Sequence, residues 1–142
     1  MPDADVLCDA SVVLKWFHSR GEEEVEASRS LLDLQRSRGV ALAVLDLTAY
    51  EVGNALLRGI GAGAAEASAV LAAIDVICPR LALTRGELAD AASIAATNHL
   101  TMYDAAYAAV ARARHMDLAT LDLALLGAGL GDRPSAILAR RT

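Results

Sequence analysis

Rings, lysines and thiols are scarce in this chain: one Trp, three Tyr, one Phe, one Lys and two Cys among 142 residues. So few aromatics leave little material for the stacking platforms on which sequence-tolerant single-strand binders lay successive bases. They also require a core of Ala, Leu and Val, a composition that suits closely packed helices. A net charge of −5 and a pI near 5.1 exclude a protein that grips nucleic acid through a global basic field. A local patch is still possible, because twelve of the thirteen basic residues are Arg, which suits bidentate phosphate or carboxylate contact. Cys8 lies in an apolar run typical of a buried thiol, with no signal peptide before it, so the cysteines read as reduced thiols of a cytoplasmic protein. No uninterrupted apolar stretch approaches the ~20 residues of a membrane span. There is no Walker A loop and no G-x-S-x-G elbow, and His18, His99 and His115 share no metal-ligand spacing.

What is abundant is apolar sequence, 55% of a chain of a length that fits one domain spanning 1–142. Short apolar runs alternate with segments of helical spacing. "VLCD" (6–9) reads as a strand and "ASVVLKWFHS" as a helix through Val12, Val13 and Trp16. "EEEVEASRSLLDLQRSRG" (22–39) reads as an amphipathic helix, acidic at its start, basic at its end and capped by Gly39. "VALAVLD" (40–46) is a second strand, followed by a helix over 47–58, a Gly-rich turn over 59–63, and a helix over 64–77 that Pro79 stops. In that last helix Ala67, Val70, Leu71 and Ile74 make one buried face. "RLALT" (80–84) is extended, 85–99 and about 104–114 are helical, "DLATLD" (117–122) is a strand, "LALLGAG" a helical turn, and "SAIL" (135–138) a last strand. Strands alternating with helices imply crossover connections and therefore a mostly parallel sheet covered by helices on both faces.

Three of the apolar strands end in acid, at Asp9, Asp46 and Asp122. Ligands of open parallel α/β sheets bind at the carboxyl ends of the strands, and acids there collect along one edge. Glu51 and Asp104, in the first turns of following helices, can join them. Each acid also has a structural reading: Thr48–Glu51 fits a capping box, Thr101–Asp104 a weaker one, Asp46 and Asp122 fit helix caps, and Asp9 a turn. Capping, however, does not require acids from separate elements to converge, whereas metal binding does. Carboxylates massed without His or Cys are hard oxygen ligands suited to Mg²⁺ or Mn²⁺. Such a cluster points to phosphate-ester chemistry, in which the cation activates water and neutralises charge on the phosphoryl oxygens. Two other classes compete. A phosphomonoesterase using Asp9 as covalent nucleophile calls for a second Asp two residues later, where Ser11 stands. In a non-catalytic interaction module the acids would all be caps.

The segments "VLCDASVVLKWF", "LTAYEVGNALLR", "LTMYDAAYAAVA" and "LATLDLAL", in this order and at these separations, resemble the PIN-domain family, in particular the VapC toxins of type II toxin–antitoxin systems. The resemblance runs from about residue 6 to 138, and "YDAAYAAVA" and "TLD" are its most specific parts. It implies a three-layer α/β/α fold and a Mg²⁺- or Mn²⁺-dependent endoribonuclease. It also implies an RNA substrate, a cognate VapB-like antitoxin as partner, and a homodimer formed through helical faces. The family's catalytic and metal-binding acids fall on Asp9, Glu51, Asp104 and Asp122, with Ser11 and Thr120 as neighbouring hydroxyls that position a ligand or water. Asp46 matches none of them and stays a helix cap. Where many relatives carry a Pro before the Glu, this chain reads "VLDLTAYE". Asn54 and Arg58, at i+3 and i+7 from Glu51, fall on its helical face. There Asn54 can support the acid and Arg58 can meet RNA phosphate, with Lys15 and Arg112 as further basic candidates; a solvated polar stripe is the competing reading. An acidic nuclease also calls for its Arg residues to gather near the groove.

Overall fold

The two central strands that begin this protein's sheet are short and buried along their whole length, and consecutive residues enter different cores. Val6 and Cys8 of β1 (Val6–Cys8) pack with one set of helices and Leu7 with the other. In β2 (Leu42–Leu45), Leu42 and Val44 face the first side and Ala43 and Leu45 the second. That division is the period-two geometry of a strand covered on both faces, and it explains why these runs are continuously apolar instead of alternating with polar residues. The computed structural model describes residues 4–19 and 21–141.

After β1 come α1 (Ala10–Phe17) and α2 (Val25–Arg36); after β2 come α3 (Asp46–Asn54) and α4 (Ala64–Ile77). The two-residue β3 (Arg80–Leu81) precedes α5 (Arg85–Asn98) and α6 (Met102–Ala113), and β4 (Asp117–Ala119) precedes α7 (Leu123–Gly127) and α8 (Pro134–Arg141). All four strands are parallel, in the order β3-β2-β1-β4. The first core joins α1, α2, α3, α4 and α8 through Val12, Val13, Trp16, Leu31, Val52, Val70, Ile74 and Ile137. The second is the α5–α6 pair, which lays an almost unbroken row of alanines and Tyr107 on the opposite face. Alanine there lets the helices approach the sheet closely. Cys8 and Cys78 are free and buried, and burial raises the Cys78 thiol to about 12. Among the described residues no helix is long and apolar enough to cross a membrane.

Four local expectations are corrected. "SAIL" is not a strand but lies in α8: Pro134 occupies the first helical position, where its missing N–H costs nothing, and Ser135 N–H and Oγ both bond Glu24 Oε1, at 3.0 and 2.7 Å. Beside β4 the sheet gains instead a single bridge, Ala119 with Asp132. Gly39 does not supply the left-handed turn after α2. Arg38 does, at φ 63°, while a Cβ on Gly39 would lie 2.5 Å from Leu34 Cδ1 and push that side chain aside. Asp46 is the exposed first residue of α3, not its cap; Leu45 precedes it as N-cap with no side-chain cap bond. Finally, α3 continues into a π-helical stretch, Ala55–Ile60, that ends at Gly61 with φ 78°. Its i→i+5 pitch alters the rotation per residue, so the alignment of Arg58 with Glu51, which assumes 3.6 residues per turn, does not hold.

Candidate active site

The order of the strands selects one place on the molecule. From β1 the chain moves outward through β2 to β3, then returns to the other side of β1 as β4, so the direction of winding reverses between β1 and β4. A crevice opens beyond the carboxyl ends of the strands at such a switch point. Asp9 directly follows β1 and Asp122 lies three residues beyond β4. Glu51 is in α3, which starts directly at the end of β2, and Asp104 is in the first turn of α6. Neighbouring acid charges raise the proton affinity of Asp9, Glu51 and Asp104. Burial is the largest cause for Glu51, followed, against an opposing bond from Tyr107, by the charges of Asp9, Asp104 and Asp122; burial and Asp122 raise Asp104.

Asp9 is 5% exposed and is held from three directions. Oδ1 accepts from Ser11 Oγ at 2.5 Å and from Val12 N–H at 3.2 Å, and Oδ2 accepts from Thr120 Oγ1. Those bonds favour the charged form, yet burial outweighs them and pushes the carboxyl from 3.8 to about 6, with the Asp122 charge adding to the rise. Ser11 and Thr120 therefore direct their protons at Asp9. Each hydroxyl in turn accepts a backbone N–H, Ser11 from Leu121 at 2.9 Å and Thr120 from Asp122 at 2.9 Å.

The other three acids have different anchors. Asp122 caps α7, its Oδ1 accepting from Ala124 and Leu125 N–H at 2.8 and 3.3 Å. Thr101 caps α6 and accepts Asp104 N–H at 3.1 Å. Glu51 does not fold back to cap anything. Its Oε1 accepts from the Tyr107 hydroxyl at 2.7 Å, and Thr48, its supposed capping partner, accepts Leu45 N–H at 3.0 Å. Tyr107 had no place in the sequence reading. The available signal was a lone ring three residues after Asp104 in a segment otherwise built of alanine.

Two hollows flank the acids. One, of about 610 Å³, is lined by Glu51, Leu47 and Asn54 and by the exposed rings of Tyr50 and Tyr103. Two of the chain's five aromatics thus stand at its edge, where composition alone had promised little. The other, about 360 Å³, is lined by Ser11, Leu14, His18, Ile60 and Lys15 among others. The expected basic rim is thin: Lys15 lines this second hollow and Arg58 is on the exposed π-helical stretch. Arg112 is in the last turn of α6, two turns from Asp104 and ~12 Å along the axis. Several arginines are engaged elsewhere, Arg114 with Glu87, Arg80 with Asp75, and Arg140 and Arg141 with Asp117.

Comparison with known proteins agrees with this fold. The PIN domain family model matches residues 6–127, and the chain belongs to the PIN-domain family. Among solved structures it is similar to PAE2754 from Pyrobaculum aerophilum, at 28% identity over 96% of this chain and 88% of that one, with a TM-score of 0.72. It is also similar in fold to VapC20 of Mycobacterium tuberculosis, described as a sarcin-ricin loop cleaving toxin. There the identity is 18% over 88% of this chain and 95% of that one, with a TM-score of 0.68. A search of curated proteins returned no match.

Proposed function

We propose that this chain is a Mg²⁺- or Mn²⁺-dependent endoribonuclease acting as the toxin of a VapBC-type pair. Its partners would be RNA, a VapB-like antitoxin and a second copy of itself. What supports the reading is the approach of four carboxylates, carried by separate elements to the carboxyl-end side of a parallel sheet, near enough that the charges of Asp9, Asp104 and Asp122 act on Glu51. Nothing in helix capping demands that approach. Membership in a family whose members are generally nucleases supports it, as does the likeness in fold to a toxin that cleaves the sarcin-ricin loop.

The donor set fits a hard divalent cation. Oxygen is the only donor type in it, and neighbouring acid charges raise the proton affinity of Glu51 and Asp104, so a cation relieves the repulsion. Among the described residues no three acidic, His or Cys side chains are already gathered tightly enough to hold an ion as they stand. Asp9, Glu51, Asp104 and Asp122 are the residues that would hold one or two ions. A bound ion supplies water of lowered pKa and charge to offset that on the phosphodiester.

The chain's own groups do the rest. Asp9, fixed by Ser11, Thr120 and Val12, is the rigid reference point of the site. Asp122 is held on one oxygen by the start of α7, and Asp104 is carried on a helix whose alanines pack it closely against the sheet. An acid not fully engaged by a ligand can take the proton from the attacking water. Tyr50 and Tyr103 offer faces to unstacked bases, and Lys15 and Arg58 offer charge to phosphates.

The test is cleavage of single-stranded and structured RNA in Mg²⁺ or Mn²⁺, beside EDTA and Asp9→Asn. Cleavage that depends on the metal and is lost in Asp9→Asn is expected. Equal cleavage by the variant would refute the site. Neutralisation by a co-purifying small antitoxin separates a toxin from a PIN nuclease of RNA processing or decay.

A further inference from the structure

We infer that Tyr107 is a positioning residue for Glu51, the last hydroxyl in a directed relay that starts on the backbone of β2; the inference rests on the cation-binding reading of the four acids. The direction follows from counting protons. The Tyr107 hydroxyl has one proton, and the Glu51 carboxylate, as an acceptor, takes it at 2.7 Å. The 2.6 Å contact between Thr48 Oγ1 and Tyr107 Oη must then have Thr48 as donor, and the Thr48 oxygen accepts Leu45 N–H at 3.0 Å. Leu45 N–H, Thr48, Tyr107 and Glu51 thus form one chain with a single sense, and each hydroxyl donates once and accepts once.

Asp9 is wired in the same way, twice. Leu121 N–H reaches Asp9 Oδ1 through Ser11, and Asp122 N–H reaches Asp9 Oδ2 through Thr120. In all three cases a backbone donor at or just beyond the carboxyl end of a strand orients a carboxylate through a hydroxyl. The path to Glu51 needs one more hydroxyl, and Tyr107 supplies it across from α6. The ring is 1% exposed and locked in the alanine-rich core, so its hydroxyl has little freedom. A long, half-buried Glu side chain is thereby held by Oε1, while Oε2 takes no hydrogen bond among the described residues. The relay makes Glu51 a one-oxygen ligand of fixed direction.

The experiment is calorimetric titration of the full chain with Mn²⁺ alone, with metal-free thermal unfolding recorded alongside. Tyr107→Phe keeps the ring and removes the last hydroxyl, and Mn²⁺ binding is expected to weaken at least ~10-fold, the usual effect of losing a partner behind a metal ligand. Thr48→Val is expected to weaken it in the same direction and Thr48→Ser to restore it; these two carry the test if Tyr107→Phe does not fold. In a Glu51→Gln background Tyr107→Phe should change Mn²⁺ affinity no further. Wild-type binding matched by Tyr107→Phe to within about two-fold, with or without a fall in melting temperature, overturns the relay and leaves the cation site standing. Absence of Mn²⁺ binding by the wild type overturns both.

Discussion

Replacing Asp9 with Asn should make the metal-free protein more stable, even though it should abolish activity. The Asp9 carboxyl rises from 3.8 to about 6 because it is buried, three hydrogen bonds notwithstanding. At ~1.4 kcal/mol per factor of ten in proton affinity, that rise means ~3 kcal/mol of folding stability is lost when the group is ionised. The sign follows from linkage. Below pH 3.8 the acid is neutral folded and unfolded, and there is no penalty; the penalty grows as pH climbs from 3.8 towards 6 and is complete above that. Asn keeps the shape without the charge but gives up charge-assisted bonds from Ser11, Thr120 and Val12. Subtracting ~1–2 kcal/mol for those losses leaves a net gain of ~1–2 kcal/mol, or ~3–8 °C in melting temperature for a chain of this length. The assay is thermal unfolding in EDTA at pH 8 and pH 4. Asn at position 9 should raise the melting temperature at pH 8 and lower it at pH 4. Adding Mn²⁺ at 100 times its Kd should stabilise the wild type by ~2.7 kcal/mol and reverse the order. An equal loss of stability at both pH values would mean that Asp9 is an ordinary cap, and the reasoning from its burial would fail.

Three further outcomes are expected. Glu87→Gln breaks the paired Arg114 fork far from the acids and should cost ~2 kcal/mol in chemical denaturation, below the fully buried value because Arg114 is a third exposed, with RNA cleavage retained below the melting point. Arg114 and the Thr84 bonds hold Glu87 at about 2, so its contribution is present above pH 4.5 and declines as pH falls towards 2. Gly131→Ala puts a Cβ 2.7 Å from Thr120 Cγ2 and 3.2 Å from Leu118, so a loss of ~1–3 kcal/mol is expected on thermal unfolding, together with weaker Mn²⁺ binding because Thr120 is an Asp9 donor. If Lys15 and Arg58 alone meet RNA phosphates, RNA binding should fall only gently with salt, with a log–log slope of about −1.4 for two phosphate contacts on a single strand. A slope several times steeper would point to a basic surface elsewhere.

Much of this molecule is determined locally and is therefore legible in one dimension. β1 and β2 announce themselves because a parallel strand covered on both faces must be apolar throughout, and the helices because Val12, Val13 and Trp16, or Ala67, Val70 and Ile74, recur at the helical period. Asp9, Glu51, Asp104 and Asp122 stand out for a related reason, as charges next to runs that otherwise exclude charge. "SAIL" misled because three apolar residues after a Ser carry no period of their own. Its helix follows from a cap supplied by Glu24, more than a hundred residues earlier in the chain.

What only the tertiary structure decided is everything that depends on which strand lies beside which. The winding reversal between β1 and β4 exists only once β4 has crossed β1, and it brings Asp122 to Asp9 and turns Thr120 from a neighbouring hydroxyl into an Asp9 donor. The π-helical widening after Asn54 takes Arg58 off the face that a helical wheel had assigned to it. Capping and convergence also compete for the same side chains, and local sequence favours the cap. Glu51 fits a capping box with Thr48, yet a ring 56 residues further on takes its Oε1. The residue types were fixed by the order of letters; their hydrogen-bond partners were fixed by packing, because a bond between distant segments depends on the whole fold bringing its two ends within 3 Å.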